Sequence, residues 1–142
     1  MNDDEMKELL IEYMGKGFLD NILALFRQDP SLCRLIPAML GAESLHVRLG
    51  ATALVEEFAD EGRKELRAAL PGTIALLRHD NPTIRGDAAA ALGTIKDPAA
   101  IDALQACLTD GNAVVRELVQ DALVEISGRK NPDSSTPGSR LS

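Results

Sequence analysis

Two histidines and several neighbouring carboxylates are the residues of this chain that could carry acid–base or metal chemistry. A metal needs three or four converging ligands, and a nucleophile needs a base within hydrogen-bond reach. His46 and His79 supply two ligands at most, and carboxylates at adjacent positions, such as Glu56 and Glu57, point apart on a helix. The sequence therefore predicts no catalytic residue, no metal site and no cofactor, and we interpret both histidines as turn residues.

The two cysteines and the one short glycine motif also lack the spacing of a reactive or ligand-binding site. Cys33 and Cys107 are far apart, each lies in an apolar run, and neither belongs to a C-x-x-C motif. Gly15-Lys16-Gly17 is too short for a phosphate-binding loop, and no predicted strand precedes it. We therefore expect both cysteines to be small buried hydrophobic residues.

The formal charge of the chain is −7, and it is unevenly distributed. Residues 129–142 hold three basic residues and one acidic residue, so residues 1–128 carry −9. No run of Lys or Arg exceeds two residues, and such a surface disfavours nucleic acid and anionic membranes as partners. The N-terminus is acidic where a secretory signal is basic, and no apolar run approaches the roughly 18 residues of a membrane span. We therefore expect no nucleic-acid or membrane partner and a cytoplasmic location.

The composition predicts that helices position these residues. The chain has no Trp, one Tyr and three Phe, and its runs of Ala and Leu favour closely packed helices over a β core. Residues 76–95 align with residues 107–126 at a shift of 31 without a gap, so that Arg85 falls on Arg116. A third copy places Arg48 at the equivalent position, 37 residues before Arg85. The sequence thus contains at least three repeated units.

Within each copy the apolar residues recur at i, i+4, i+7, i+8 and i+11, which is the stripe of one amphipathic helix. This helix is the second of a pair, because a shorter apolar segment and a polar turn precede it. Ser44, Asn81 and Asn112 are the expected N-caps of the second helices. Pro82 fits a first helical turn, and Pro71 is expected to start or kink a first helix.

We expect one ordered domain over residues 1–128 and a flexible tail over residues 129–142. Inside the domain, residues 1–29 are interpreted as a divergent capping pair. The predicted repeats span residues 31–58, 62–95 and 97–127. All four aromatic residues are assigned to helical core stripes: Tyr13, Phe18, Phe26 and Phe58.

Residues 81–93, NPTIRGDAAAALG, and residues 97–104, DPAAIDAL, resemble the HEAT-like repeats first described in phycobilin lyases. The match is strong over residues 73–127, weaker over 31–60 and absent over 1–29. The resemblance implies an all-α fold, a right-handed α-α superhelix of about four helix pairs. Most proteins with such repeats are binding scaffolds, so it also implies a protein partner.

The resemblance further implies a hydrogen-bonded ladder between neighbouring units, formed by an Asp in the turn and the Arg that opens the second helix. The matching residues are Arg48, Arg85, Asp110 and Arg116. The Asp position is occupied by His79 in the middle unit and by Ala42 in the first unit. The ladder is therefore expected to be incomplete at that end.

Second helices line the concave face of a solenoid, and carboxylates lie beside the apolar stripe on these helices. We interpret four of them as partner-binding candidates: Glu57, Asp87, Asp121 and Glu125. The concave face is thus predicted to be acidic, and the expected partner is a basic peptide or helix. The sequence favours a scaffold or adaptor over an enzyme.

Two other functions follow from relatives of the repeat. One is a tetrapyrrole (bilin) lyase or lyase subunit, whose site would need aromatic residues and a basic partner for the propionates. The other is DNA binding, as in HEAT-like DNA glycosylases, which needs a basic concave face. The aromatic residues are assigned to the core and the charge is acidic, so both are the weaker alternatives.

The last predicted helix, residues 113–127, carries more apolar surface than one inner face absorbs. Val114, Leu118 and Val124 lie outside its stripe, and a polar segment follows it in place of another repeat. These side chains are expected to be exposed or to pack against a second copy. The sequence thus favours a two-fold homodimer through this helix, with Leu118 in the contact.

Overall fold

The computed structural model describes residues 1–128, and the predicted tail, residues 129–142, lies outside the described residues. Residues 1–128 form α-helices and short 3-10 helices, and no strand. The α-helices are α1 (Asp3–Gly15), α2 (Leu19–Gln28), α3 (Ile36–Leu40), α4 (Leu45–Asp60), α5 (Leu70–Leu76), α6 (Pro82–Ile95), α7 (Ile101–Ala106) and α8 (Ala113–Ser127). The 3-10 helices are Pro30–Leu35, Lys64–Ala69 and Pro98–Ala100. The predicted all-α solenoid is confirmed.

The first helix of each repeated pair is composite, because a 3-10 helix leads directly into a short α-helix. Pro37 and Pro71 lie in the first turns of α3 and α5. Proline has no N–H to donate and its ring clashes with the carbonyl four residues earlier, so the chain before it adopts the tighter 3-10 turn. Pro71 thus lies where the 3-10 helix Lys64–Ala69 passes into α5, which agrees with the prediction that it starts or kinks a first helix.

The second helices α4, α6 and α8 begin at side-chain caps, as predicted. The Ser44 side chain accepts a hydrogen bond from the backbone N of Val47. Asn81 caps α6 by accepting from the N of Thr83 at 2.9 Å. Asn112 caps α8 by accepting from the backbone N atoms of the second and third helical residues. Each cap satisfies N–H groups that have no partner within the helix.

The second helices lie side by side, with α6 between α4 and α8, and α1 packs against the other side of α4. Most of their repeated apolar positions are buried, including Ala51, Ala88 and Val119 at the fourth residue after the start of each stripe, whereas the last stripe positions of α6 and α8 are half-buried. At the N-terminal end, Phe26 and Phe58 are fully buried and meet edge to face, with ring centroids 6.3 Å apart. None of the helices among residues 1–128 combines the length and apolar character that a membrane crossing requires.

The assignment of all four aromatic residues to the core is wrong for Tyr13 and Phe18. Tyr13 is 38% exposed and Phe18 is 44% exposed, and their rings meet edge to face at 5.9 Å. The reason is the turn between α1 and α2, where Gly17 has a φ of +83°. Phe18 therefore lies before α2, outside its helical stripe, and Tyr13 contacts Phe18 at the surface.

Helices α6 and α8 approach closely because small residues face each other. A Cβ added at Gly93 would lie 3.0 Å from the Cα and 3.1 Å from the Cβ of Ala122. A Cβ at Gly86 would lie 2.8 Å from Cδ1 of Leu118. The backbones of α6 and α8 are thus in near contact at Gly93, and a flexible side chain occupies the space beside Gly86.

We predict that Gly93→Leu lowers the free energy of unfolding by about 2–3 kcal/mol, because its side chain has no space against Ala122. Urea denaturation measures the loss. The control is Ala90→Leu, which adds the same residue at an exposed position of the same helix and should change the stability by less than about 0.5 kcal/mol. Equal effects of the two substitutions would contradict the close approach of α6 and α8.

Candidate functional site

One arginine holds the turn before each second helix. In all three, Nη1 donates a hydrogen bond to the backbone carbonyl six residues earlier. The donor–acceptor pairs are Arg48 to Ala42 (2.8 Å), Arg85 to His79 (2.9 Å) and Arg116 to Asp110 (2.6 Å). Arg48 is only 8% exposed. A buried guanidinium needs acceptors, and the free carbonyls of the turn need donors, so each interaction fixes the turn and the first turn of the helix that follows.

The second and third repeats are also joined through a side-chain pair. Nε and Nη2 of Arg85 donate to the two carboxylate oxygens of Asp110, at 2.9 and 3.1 Å. Asp110 Oδ1 also accepts from the backbone N of Asn112 at 2.9 Å. These hydrogen bonds hold the pKa of the Asp110 carboxyl below its usual range, and the bonds from Arg85 have the largest effect. The pair is planar and two-pronged, the geometry in which Arg binds carboxylates most strongly.

The junction between the first and second repeats has different chemistry. His79 stands where Asp110 stands in the next turn, so the position that pairs with Arg85 in the next junction offers Arg48 no carboxylate. Nε of Arg48 instead lies 3.6 Å from Oδ2 of Asp87 on α6 and makes no hydrogen bond among the described residues. Burial raises the pKa of Asp87. Asp87, predicted as a partner-binding residue, thus faces the neighbouring repeat.

The other predicted acidic candidates are partly neutralised. Nη2 of Arg27 lies 3.4 Å from Oε1 of Glu57, and Nζ of Lys96 lies 3.7 Å from Oε2 of Glu125. Asp121 is exposed and forms no ion pair within residues 1–128. Three of the four candidates, Glu57, Asp87 and Glu125, therefore each face a cation of this chain.

Two of the three apolar side chains that lie outside the α8 stripe are less exposed than predicted. Leu118 is half-buried, with Cδ1 beside Gly86, and Val124 is also half-buried. The missing Gly86 side chain leaves Leu118 room against α6, so this predicted contact residue is partly covered, and its part in a contact stays a prediction. Val114 remains exposed at 63%. The homodimer through α8 stays a prediction, with less apolar surface to support it.

Large exposed apolar side chains concentrate at one edge of the solenoid. Five of them lie at the end of α1, just before α2, or in the first two turns of α4 and α8: Tyr13, Phe18, Leu45, Leu49 and Val114. We call these five residues the apolar edge. Leu45 and Leu49 are 58% and 60% exposed and lie one turn apart on α4. The α1–α2 turn adjoins them, because a Cβ at Gly17 would lie 4.0 Å from Nε2 of His46.

Helix α6 lies between the α4 and α8 parts of the apolar edge and begins with Pro82 and Thr83. The repeat register places Pro82 and Ala113 at the position of Leu45, and Thr83 and Val114 at the position of His46. Between the starts of α6 and α8 lies a cavity of about 240 Å³, lined by Pro82, Thr83, Gly86, Asp87, Asn112, Val114 and Leu118. The sequence contained one signal for this edge: Leu45 and Leu49 lie outside the α4 stripe.

A larger cleft, of about 530 Å³, lies near the other ends of α4 and α6. Its charged lining is Asp60, Arg63, Lys64, Arg67, Lys96, Asp97 and Glu125. Most of its cations are already paired, for example Nε of Arg67 with Oδ2 of Asp97 at 2.7 Å. Hydrogen bonds from Arg27 and Arg63 lower the pKa of neighbouring Glu61 to about 2. The positive charge of this cleft is thus compensated within the protein.

The cysteines do not form a reactive site. Cys33 is buried, as predicted, and burial raises the pKa of its thiol to about 11. Cys107 is half-buried, so the expectation of a buried residue is wrong there, and partial burial also raises its thiol pKa. Raised values keep both thiols protonated and weakly nucleophilic at neutral pH. Residues 1–128 contain no cluster of three or more His, Cys, Asp or Glu side chains arranged to hold a metal ion.

Comparison with known families gives a match that covers more than half of the chain. The family model described as HEAT repeats matches residues 32–124. These residues include α4, α6 and most of α8, together with all three arginine-held turns. No curated protein matches the chain.

We predict that Asp110→Asn lowers the free energy of unfolding by about 2 kcal/mol, the usual contribution of hydrogen bonds to a charged group. Because the pKa of Asp110 is lowered in the folded state, its contribution is present above the unfolded value near 4 and is lost as pH falls through the lower folded value. The stability difference between the wild type and Asp110→Asn should therefore shrink below about pH 4. Denaturant unfolding at several pH values measures it.

The control for this prediction is Asp102→Asn, on the exposed side of α7. This substitution should change the stability by less than about 0.5 kcal/mol at neutral pH. A difference between the wild type and Asp110→Asn that is absent at neutral pH, or that grows in acid, would show that the Arg85–Asp110 pair does not stabilise the junction.

Proposed function

The chain belongs to the HEAT-repeat family, and we propose that it is a protein-binding scaffold whose partner lies across the apolar edge. Repeats of this family commonly mediate protein–protein interaction, and the fold is generally a non-enzymatic scaffold. The proposal keeps the predicted division into a capping pair, residues 1–29, and repeats over 31–58, 62–95 and 97–127. It moves the contact from the predicted acidic candidates to the beginnings of the second helices.

One observation carries the proposal: most of the large exposed apolar side chains lie at the α1–α2 connection and near the beginnings of α4 and α8. Apolar side chains scattered singly are normal at a protein surface, whereas a contiguous set marks an interaction site. Tyr13 and Phe18 add aromatic rings, which are enriched in the energetically dominant part of protein interfaces. The capped turns behind Leu45 and Val114 hold the edge in place before binding, which reduces the entropic cost of association.

The alternatives have less support. The family match concerns HEAT repeats in general, so the resemblance to phycobilin lyases stays a prediction. For DNA binding, the only cations on α4, α6 and α8 are Arg48, Arg85 and Arg116, and all three donate to turn carbonyls. A duplex would therefore meet carboxylates on these helices without free cations to contact its phosphates.

We predict that the double variant Leu45→Gln, Leu49→Gln loses the partners that the wild type retains. Gln keeps a similar length and good helix propensity while it removes the apolar surface. Affinity capture from a lysate of the source organism, followed by quantitative mass spectrometry, compares the two proteins. Circular dichroism checks that the helicity is unchanged.

The matched control is Leu108→Gln, which changes an exposed leucine just beyond the end of α7 that is not one of the five residues of the apolar edge. This variant should retain the same partners as the wild type. If the double variant retains them equally well, or if the wild type retains no protein that is absent from the empty resin, the proposed function is wrong.

A further inference from the structure

We propose that the segment bound at the apolar edge is an amphipathic helix that carries Lys or Arg beside its apolar stripe. The inference rests on the proposed function and names the chemistry of its partner. It follows from the charge of the second helices, the geometry of the edge and the secondary structure that the surface can accept.

The unpaired charges on the second helices are all negative. Their three arginines are committed to the turns, and no Lys occurs on α4, α6 or α8. Four exposed carboxylates on these helices make no ion pair among residues 1–128: Glu56, Asp60, Glu117 and Asp121. The free charge of this layer is therefore negative, and it attracts a cationic partner and repels an anionic one.

The free carboxylates follow the apolar edge on the same helix faces. Glu117 lies three residues after Val114 on α8, and Asp121 lies one further turn along. On α4, Glu56 lies two turns after Leu49. A bound segment thus meets apolar side chains at the beginnings of the helices and carboxylates towards their middles. A helix with an apolar stripe and a basic flank has the complementary arrangement.

The edge also fits a helix in length and in anchor spacing. It runs across α1, α4, α6 and α8, and three steps of about 8–10 Å between neighbouring helices give about 25–30 Å. A helix of about 18 residues has this length. The cavity between α6 and α8 is apolar at Val114, Leu118 and Pro82 and can receive one anchoring side chain. The Tyr13–Phe18 pair offers a second contact at the other end.

A helix fits better than an extended peptide. Extended segments usually bind by adding a strand to the edge of a sheet, which satisfies their backbone hydrogen bonds. The structure contains no strand within residues 1–128 to accept one. A helix satisfies its own backbone groups and needs only side-chain contacts from the surface.

The test uses three fluorescein-labelled synthetic peptides of about 18 residues and the full chain, with binding followed by fluorescence anisotropy. The first peptide is an amphipathic helix with a Leu stripe and Lys at the remaining positions. The second replaces each Lys with Glu. The third has the composition of the first in an order that destroys the stripe. We expect the first peptide to bind at least about tenfold more tightly than either of the others.

Two double variants separate the apolar from the electrostatic contribution to peptide binding. Leu45→Gln, Leu49→Gln should weaken binding of the first peptide by about tenfold. Glu117→Gln, Asp121→Asn should weaken it by about threefold or more and reduce its dependence on salt. Leu108→Gln and Asp102→Asn are the matched controls, and each should change the affinity by less than about twofold.

Several outcomes would overturn the inference. They are equal binding of the first and third peptides, equal binding of the first and second, no effect of the Leu45 and Leu49 substitutions, and no binding of the first peptide. The capture experiment from lysate distinguishes failure of this inference from failure of the proposed function. If capture depends on Leu45 and Leu49 while the cationic peptide does not bind, the chain is a scaffold for a partner of different chemistry.

Discussion

The fold depends on an arginine side chain at the start of each second helix, which is buried at Arg48 and half-buried at Arg85 and Arg116. The turn before that helix leaves backbone carbonyls without partners, and the guanidinium donates to the carbonyl six residues before it in all three repeats. Burying either group alone costs free energy, whereas burying them together satisfies both. This contact fixes the direction in which the second helix begins. It therefore decides which side chains of the first helical turn lie in the core and which, such as Leu45 and Val114, remain at the surface.

The same arginines make the two junctions between repeats unequal. Arg85 reaches the turn carboxylate of the next repeat, Asp110, with two hydrogen bonds, and small residues bring α6 and α8 into near contact at Gly93. Arg48 has His79 in place of that carboxylate and relies on Asp87 at 3.6 Å. Acidic residues that pair across the repeats hold the stack together and are less available to a partner, so the apolar side chains that no repeat covers become the more specific surface.

The repeat register was sufficient to predict the second helices, their caps and their buried stripe, because these features are local and recur at fixed offsets. The first helix pair does not align with the repeats, so the alignment could not predict that the α1–α2 turn places Tyr13 and Phe18 at the surface. Nor could sequence show which carboxylates are paired, since the partners of Arg27 and Arg48 lie 30 or more residues away and meet only when the repeats stack. The partial burial of Leu118 could not be predicted for a related reason: its place against α6 exists only because Gly86 has no side chain.

We propose that the turns held by arginine present one apolar edge and that a partner binds there. Methyl-labelled Leu and Val side chains, observed by NMR during titration with the cationic amphipathic peptide, test the claim most directly. We predict chemical-shift changes at Leu45, Leu49 and Val114, while Leu104 in the core and Leu108 beyond α7 keep their shifts. Changes centred on Leu108, or spread evenly over the surface methyl groups, would contradict it.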